Sequence, residues 1–219
     1  MIFINFKTYE QGTGEKGLDL IKVLENASEE SQIKIVPVLQ ASDIKEATMS
    51  TKLEVWAQHI DPVEFGAHTG ATLAEAVKED GAMGVFLNHS EQKFHDFESL
   101  KLAHDRARSV GLKTLVFAED VKELKKILTL EPDFASYEPS ELVGSTTTSV
   151  SESKPEIVAQ AVEICREART PLIVGAGIKS EKDIRVSLEL GALGFAVASD
   201  IVKAKKPDER IKELLGGFN

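Results

Sequence analysis

At 219 residues and a formal net charge of −10, the chain is long enough for one large domain and too acidic for nucleic acid or an anionic membrane surface to be its partner. A single cysteine, Cys165, excludes an intramolecular disulfide and a cysteine-based metal cluster, as a reducing cytosol would favour, and no apolar run approaches the ~18 to 20 residues that span a bilayer. The expectation is a cytoplasmic protein, residues 1–219 as one domain, whose Met1 leads straight into a strand and whose ligands, if anionic, must find a local positive pocket.

In chain order, short β-rich apolar runs fall at Ile2–Phe6, Ile33–Leu39, Leu53–Gln58, Gly84–Leu87, Leu112–Ala118, Phe134–Tyr137, Pro171–Val174 and Leu193–Ala198. Helical periodicity fills the gaps. Leu18, Ile21, Val23 and Leu24 mark the first helix, and Ile157, Val158, Ala161, Val162, Ile164 and Cys165 mark the sixth, which makes the cysteine helix core. Runs such as Val36-Pro37-Val38-Leu39 and Phe195-Ala196-Val197-Ala198 are apolar at successive positions, as parallel strands buried on both faces are, and the intervening helices supply the crossovers that parallel strands need. Ser180-Glu181-Lys182-Asp183 has a capping-box pattern, Pro155 suits a first helical turn, and Gly81, Gly111 and Gly191 each stand where a helix ends before a strand. The polar stretch Ser145-Thr146-Thr147-Thr148-Ser149-Val150-Ser151-Glu152-Ser153 has the length of a lid. Eight strand-helix units without a dinucleotide-binding glycine fingerprint after the first strand predict an α/β fold, a parallel eight-stranded (β/α)8 barrel with outer helices, and in such a barrel chemistry collects at the carboxyl ends of the strands.

Five of those ends carry informative residues. Asn5-Phe6-Lys7 follows the first strand, where the Lys7 ammonium can hold an anion and stabilise oxyanion charge, with Asn5 to orient it. Asn88-His89-Ser90-Glu91 follows the fourth; Ser90 and Glu91 are good starters of a short helix, whose positive end would keep the His89 imidazole neutral and able to donate a proton to a carbonyl oxygen. His59, His68, His95 and His104 have no comparable setting, and His95 and His104 read as helix-face residues. Glu138-Pro139 follows the sixth strand, where closure of the lid Pro139–Gly144 would desolvate the Glu138 carboxylate and suit it to abstracting a carbon-bound proton; Glu119 and Glu141 read as surface charges. Gly175-Ala176-Gly177 and Ala198-Ser199 fall after the seventh and eighth strands, where backbone N–H groups can converge on a phosphate.

These segments, with Gln58-His59-Ile60-Asp61, Gly66-Ala67-His68-Thr69-Gly70, Glu138-Pro139-Ser140-Glu141-Leu142-Val143-Gly144 and Val202-Lys203-Ala204, jointly resemble the triosephosphate isomerase family, in its short archaeal type, along nearly the whole chain. The resemblance implies a TIM barrel that interconverts dihydroxyacetone phosphate and D-glyceraldehyde 3-phosphate through an enediolate, in glycolysis and gluconeogenesis, without cofactor or metal. It assigns Glu138 as the base and His89 as the neutral partner, a pairing for which this family is itself the standard example and which is therefore inherited. It adds Lys7 for charge stabilisation, Asn5 to position Lys7, Glu91 as a supporting carboxylate, and Gly144, Gly175, Gly177 and Ser199 as phosphate contacts beside Ala176 and Ala198. It also implies a homo-oligomer, dimer or tetramer, in which the loop His68-Thr69-Gly70 reaches into the partner subunit.

Two departures stand out. The family's lid continues Gly-Thr-Gly where this chain has Gly144-Ser145-Thr146, which stiffens the hinge. Where the archaeal pattern has a third-position glycine, this chain has Ala198-Ser199-Asp200, a carboxylate beside the expected phosphate. At ~5 to 6 Å and an effective dielectric near 20, one such like-charge contact costs about 3 kcal/mol before screening. Two placements fit: Asp200 repels the phosphate, in which case Asp200→Gly lowers KM, or it caps the helix beginning at Ile201 and points away. Two rival functions are a barrel acting on another sugar phosphate or an indole or pyrimidine phosphate, with the same anion turn but other side chains at strands 1, 4 and 6, and a catalytically impaired barrel kept for interaction or anion binding.

Overall fold

Eight strands, Ile2–Asn5 (β1), Ile35–Leu39 (β2), Trp56–Ala57 (β3), Gly84–Leu87 (β4), Lys113–Ala118 (β5), Phe134–Tyr137 (β6), Leu172–Val174 (β7) and Gly194–Val197 (β8), pair in parallel in sequence order, and β8 closes onto β1. This is a computed structural model, and it describes residues 1–138 and 155–218. The expected lid residues Pro139–Ser153, Gly144 among them, lie outside the described residues. The third strand is shorter than its apolar run Leu53–Gln58, but the ladder extends past its ends: the Gln58 N–H donates to the Leu39 carbonyl at 2.9 Å and the Met83 N–H to that of Val55 at 2.9 Å.

The described helices are Gly14–Ser31 (α1), Ala41–Ser50 (α2), Ala74–Glu79 (α3), Phe97–Ser109 (α4), Val121–Leu128 (α5), Pro155–Glu167 (α6), Glu181–Glu189 (α7), Ser199–Val202 (α8) and Pro207–Leu215 (α9). Pro155 opens α6, where its missing donor costs nothing, and Cys165 is buried on that helix, its thiol pushed up to about 12 by burial. Gly81, Gly111 and Gly191 adopt φ of 97°, 80° and 103°, the left-handed termini that glycine supplies without strain. Ser180 caps α7 by accepting from the Asp183 N–H at 3.3 Å. The reciprocal half of the box differs from expectation: the Asp183 carboxylate takes the Lys179 N–H at 3.1 Å, which ties the loop before the helix to its first turn. Among the described residues no helix is long and apolar enough to cross a membrane.

Strand alternation sorts side chains into two cores. Outward-facing residues such as Ile2, Ile4, Val85, Leu87, Ala135 and Phe195 pack beneath the helices, whereas Phe3, Val36, Val38, Trp56, Phe86, Leu115, Phe117, Ile173 and Ala196 fill the barrel interior. The interior is largely aromatic: Phe3 meets Trp56 edge-on at 5.0 Å and Phe134 at 5.9 Å, and Phe86 meets Phe117 at 4.9 Å. Gly84 makes room for the indole, since a Cβ there would stand 2.5 Å from the Trp56 ring. Continued by two residues toward the carboxyl ends, the same inward phase leads from Phe3 to Asn5, from Phe134 to Ser136 and Glu138, and from Ile173 to Gly175. The alternation that packs the core therefore aims the polar groups at the rim.

Candidate active site

The carboxyl ends of the strands surround a cavity of about 810 Å³ lined by every described residue singled out for chemistry: Asn5, Lys7, His89, Glu91, Glu138, the turn Gly175-Ala176-Gly177, and Ala198-Ser199. Lys7 occupies a left-handed backbone conformation, φ 47°, which is uncommon for a residue with a side chain. Its peptide is held from both sides: the Lys7 N–H donates to Asn5 Oδ1 at 3.0 Å, and Gln58 Nε2 donates to the Lys7 carbonyl at 3.0 Å. Asn5 thus acts on the Lys7 backbone, and Gln58, to which sequence reading gave no role, completes the grip. The Lys7 ammonium meets Glu91 Oε1 at 2.6 Å, and the partly exposed carboxylate keeps it directed across the cavity mouth.

His89 follows Asn88, another left-handed residue (φ 62°), whose side-chain amide donates to the Phe117 carbonyl at 3.0 Å and to Glu123 Oε1 at 2.9 Å. The short helix expected after His89 is absent. Residues 90–92 form a turn closed by the Gln92 N–H on the His89 carbonyl, and α4 starts at Phe97 behind the Asp96 cap, whose carboxylate accepts from the Ser99 N–H at 2.7 Å. The N–H groups that would open such a helix are taken by His89 itself, that of Glu91 by Nδ1 and that of Gln92 by the carbonyl. The ring is nevertheless kept neutral. Burial pushes its pKa down to about 4, with the Lys7 ammonium adding to the effect and Glu91 opposing it. The Glu91 N–H donates to Nδ1 at 3.1 Å, so in the neutral ring the proton sits on Nε2, which faces Glu138 Oε1 at 4.0 Å. His95, expected on a helix face, is an exposed loop residue before the Asp96 cap, and His104 lies on α4 but fully buried, because α4 turns that face onto the core.

Glu138 is 7% exposed. Burial raises its pKa from 4.5 to about 8, against the pull of Lys7 and of Ser90, whose hydroxyl donates to Oε2 at 3.4 Å. Glu119 sits exposed against Lys93 at 2.9 Å, a solvated charge as expected, and Glu141 lies outside the described residues. Gly175 has a cause that the sequence did not reveal. A Cβ there would stand 2.5 Å from Glu138 Cγ and 2.6 Å from Ser136 Oγ, so the glycine makes room for the Glu138 side chain. Gly177, with φ 76°, makes the turn.

The far end of the cavity overturns the helix-cap placement of Asp200 and gives its carboxylate a counter-charge. The cap position of α8 belongs to Ala198, and Asp200 stands in the first turn with its carboxylate on Arg210 of α9, at 3.0 Å from Nε and 2.6 Å from Nη2. The ion pair wins over capping because a guanidinium offers two charge-assisted donors in one plane. Arg210 and Lys179, both cavity-lining, were not singled out from the sequence, and no local spacing could have found Arg210, which arrives from the last helix. Among the described residues no group of three or more His, Cys, Asp or Glu is arranged to hold a metal ion.

The loop expected at a subunit interface has a closed neck: the Asp61 N–H donates to the Thr72 carbonyl at 2.9 Å, and the Thr72 N–H to Asp61 Oδ2 at 2.7 Å. Its outer part is exposed, including His68, Thr69, Gly70 and a Phe65 that is 75% exposed.

Comparison with known proteins agrees with this geometry. The sequence profile of the triosephosphate isomerase family matches residues 1–214. The chain is 37% identical to the triosephosphate isomerase of Methanocaldococcus jannaschii over 217 residues, covering 98% of each chain. It is 38% identical to that of Saccharolobus solfataricus over 216 residues, covering 98% of this chain and 94% of the relative. A crystal structure of triosephosphate isomerase from Bartonella henselae superposes with a TM-score of 0.75 at 16% identity, covering 99% of this chain and 96% of the other, which supports the fold alone.

Proposed function

As the chain belongs to the triosephosphate isomerase family, we propose that Glu138, His89 and Lys7 carry the family's reaction in it. The protein is an enzyme, and it interconverts dihydroxyacetone phosphate and D-glyceraldehyde 3-phosphate in glycolysis. The Glu138 carboxylate takes a proton from the carbon beside the carbonyl, the electron pair of the broken C–H bond forms the enediolate double bond, and the carbonyl oxygen gains negative charge. The His89 Nε2–H donates to that oxygen, and the Lys7 ammonium stabilises the charge. His89 passes its Nε2 proton to that oxygen and recovers one from the neighbouring hydroxyl, which becomes the new carbonyl as Glu138 returns its proton to the former carbonyl carbon. Asn5 positions Lys7, and Glu91 directs its ammonium. The turn Gly175-Ala176-Gly177 and the pair Ala198-Ser199 seat the phosphate, joined by Gly144.

One observation carries this reading: two groups within 4.0 Å have their proton affinities pushed in opposite directions, His89 to about 4 and Glu138 to about 8. That divergence separates a neutral hydrogen-bond donor from a strong carbon base. A coupled assay of glyceraldehyde 3-phosphate isomerisation tests it. The intact chain turns over, and Glu138→Gln loses about a thousandfold or more in kcat, the scale of a positioned base; wild-type kcat in that variant refutes the assignment. The impaired-barrel alternative rested on Asp200, whose charge is answered by Arg210, and on the altered lid, which lies outside the described residues.

The family typically oligomerises, and we propose that this chain forms at least a dimer through the loop His68-Thr69-Gly70. The closed Asp61–Thr72 neck and the exposed Phe65 support it, since such a tip offers a preformed apolar anchor. Sedimentation of Phe65→Asp as a monomer is the expected result.

A further inference from the structure

A chain of net charge −10 that binds a phosphate needs a local source of positive potential, and besides Lys7 three cations line the cavity, Lys179, Arg210 and an exposed Lys203 whose ammonium lies 5.3 Å from the Tyr9 ring. Their states differ. The Arg210 guanidinium is fully engaged: Nε and Nη2 on Asp200, Nη2 also on the Lys179 carbonyl at 2.6 Å, and Nη1 on Glu213 at 2.6 Å. Two carboxylates answer its charge, so it has little left for an incoming anion. The Lys179 Nζ is buried and makes no hydrogen bond to any described residue. A buried ammonium without partners is costly, and it persists only where the surrounding structure holds it in place. Here the backbone does so from both sides: the Lys179 N–H is fixed on Asp183 Oδ2 at 3.1 Å and its carbonyl on Arg210.

We propose that Lys179 is the counter-charge of the substrate phosphate, and that Arg210, clamped to Asp200, is the residue that positions it. The proposal rests on the reading that the phosphate sits between Gly175-Ala176-Gly177 and Ala198-Ser199. The compact ammonium, out of contact with water in the free protein, swings on its flexible stem into the seat when the phosphate arrives and gains its missing partner there. The guanidinium fork does what a lysine could not, bridging the Lys179 carbonyl and the Asp200 carboxylate in the first turn of α8, and so fixes the Lys179 backbone beside the seat. In this arrangement Asp200 works for substrate binding, by holding Arg210, rather than against it.

Steady-state kinetics of the isomerisation, with inorganic phosphate as competitive inhibitor, test this on the full chain. Lys179→Met should raise KM and the phosphate inhibition constant together by about tenfold, the equivalent of one lost charge-assisted contact, with kcat changing much less. Arg210→Met should move the same two constants in the same direction, and Arg210→Lys, which keeps the charge and loses the fork, serves if the methionine variant folds poorly. The double variant Lys179→Met/Arg210→Met should be no worse than Lys179→Met alone, because Arg210 acts through Lys179. Unchanged KM and inhibition constant in Lys179→Met overturn the proposal, as does a double variant in which the two effects multiply. Ser199→Asp separates this failure from failure of the underlying seat: if it leaves both constants unchanged, the phosphate lies elsewhere, and if it raises them while Lys179→Met does not, the seat stands and the counter-charge assignment falls.

Discussion

The two ends of the barrel interior are built from the same strands and could hardly differ more. Toward the amino ends, Phe3, Trp56 and Phe134 interlock in a dry aromatic plug with ring centroids 5.0 to 6.0 Å apart. Two to four residues further along, the inward positions become Asn5, Ser136 and Glu138, and the site groups are buried yet incompletely paired. The first end supplies stability through area and shape; the second spends stability to hold a carboxyl at an unfavourable pKa. Folding and chemistry are thus separated along each strand, and mutations at the two ends should fail in opposite ways.

The largest expected effect is that of Glu138→Gln, a loss of about 10³-fold or more in kcat, and it comes with a stability signature. The pKa of Glu138 is raised in the folded protein, so the fold binds this proton more tightly than the unfolded chain does; the contribution is full below pH 4.5 and is lost as pH rises through about 8. Thermal unfolding of Glu138→Gln should therefore gain on the wild type as pH rises from 4.5 to beyond 8, and a pH-independent difference would show that burial of the carboxyl carries no cost. Phe3→Ala is the mirror case: a cavity in the plug should cost about 3 to 5 kcal/mol in denaturant unfolding, with kcat of the folded fraction retained. A collapse of kcat with little change in stability would break the division of labour between the ends.

The pH profile sharpens the comparison further. With His89 neutral down to about pH 4, the enzyme's own acid limb of kcat/KM, taken after correction for a substrate phosphate that itself titrates at about 6, belongs to Glu138 and should level off only near pH 8; a residual limb at the ordinary histidine value of 6.5 would mean that the ring titrates with the reaction. The smallest effect concerns Asp200→Gly. The sequence alone suggested relief of repulsion and a lower KM, whereas the Arg210 pair leads us to expect a KM about threefold higher, as a positioning contact is weakened without loss of chemistry. A fall in KM would restore the repulsion reading.

Much of this site is legible in the sequence because the period of two that buries a strand also dictates which residues face the axis beyond its end. Lys7 and Glu138 continue the inward phase of Phe3 and Phe134, and His89, out of that phase, follows within two residues of β4 after the left-handed Asn88, so that each is placed at the rim by its own strand. Readings that depended on competition between neighbours fared worse. The helix expected after His89 gave way to a turn whose N–H groups are taken by the His89 ring and carbonyl, and Asp200 found in Arg210 a stronger partner than a helix N–H.

The sequence by itself determined the strand count, the parallel barrel and the rim positions of the reactive groups, since these follow from local alternation and punctuation. Only the tertiary structure decided how those groups are tuned: that Gln58 grips the Lys7 carbonyl, that Gly175 is small because Glu138 lies against it, that burial sets His89 near 4 and Glu138 near 8, and that Arg210 answers Asp200. The reason is physical. Hydrogen bonds, desolvation and charge pairing act over a few ångströms of space regardless of separation along the chain, and a pattern of residue types carries no record of those distances until the barrel closes.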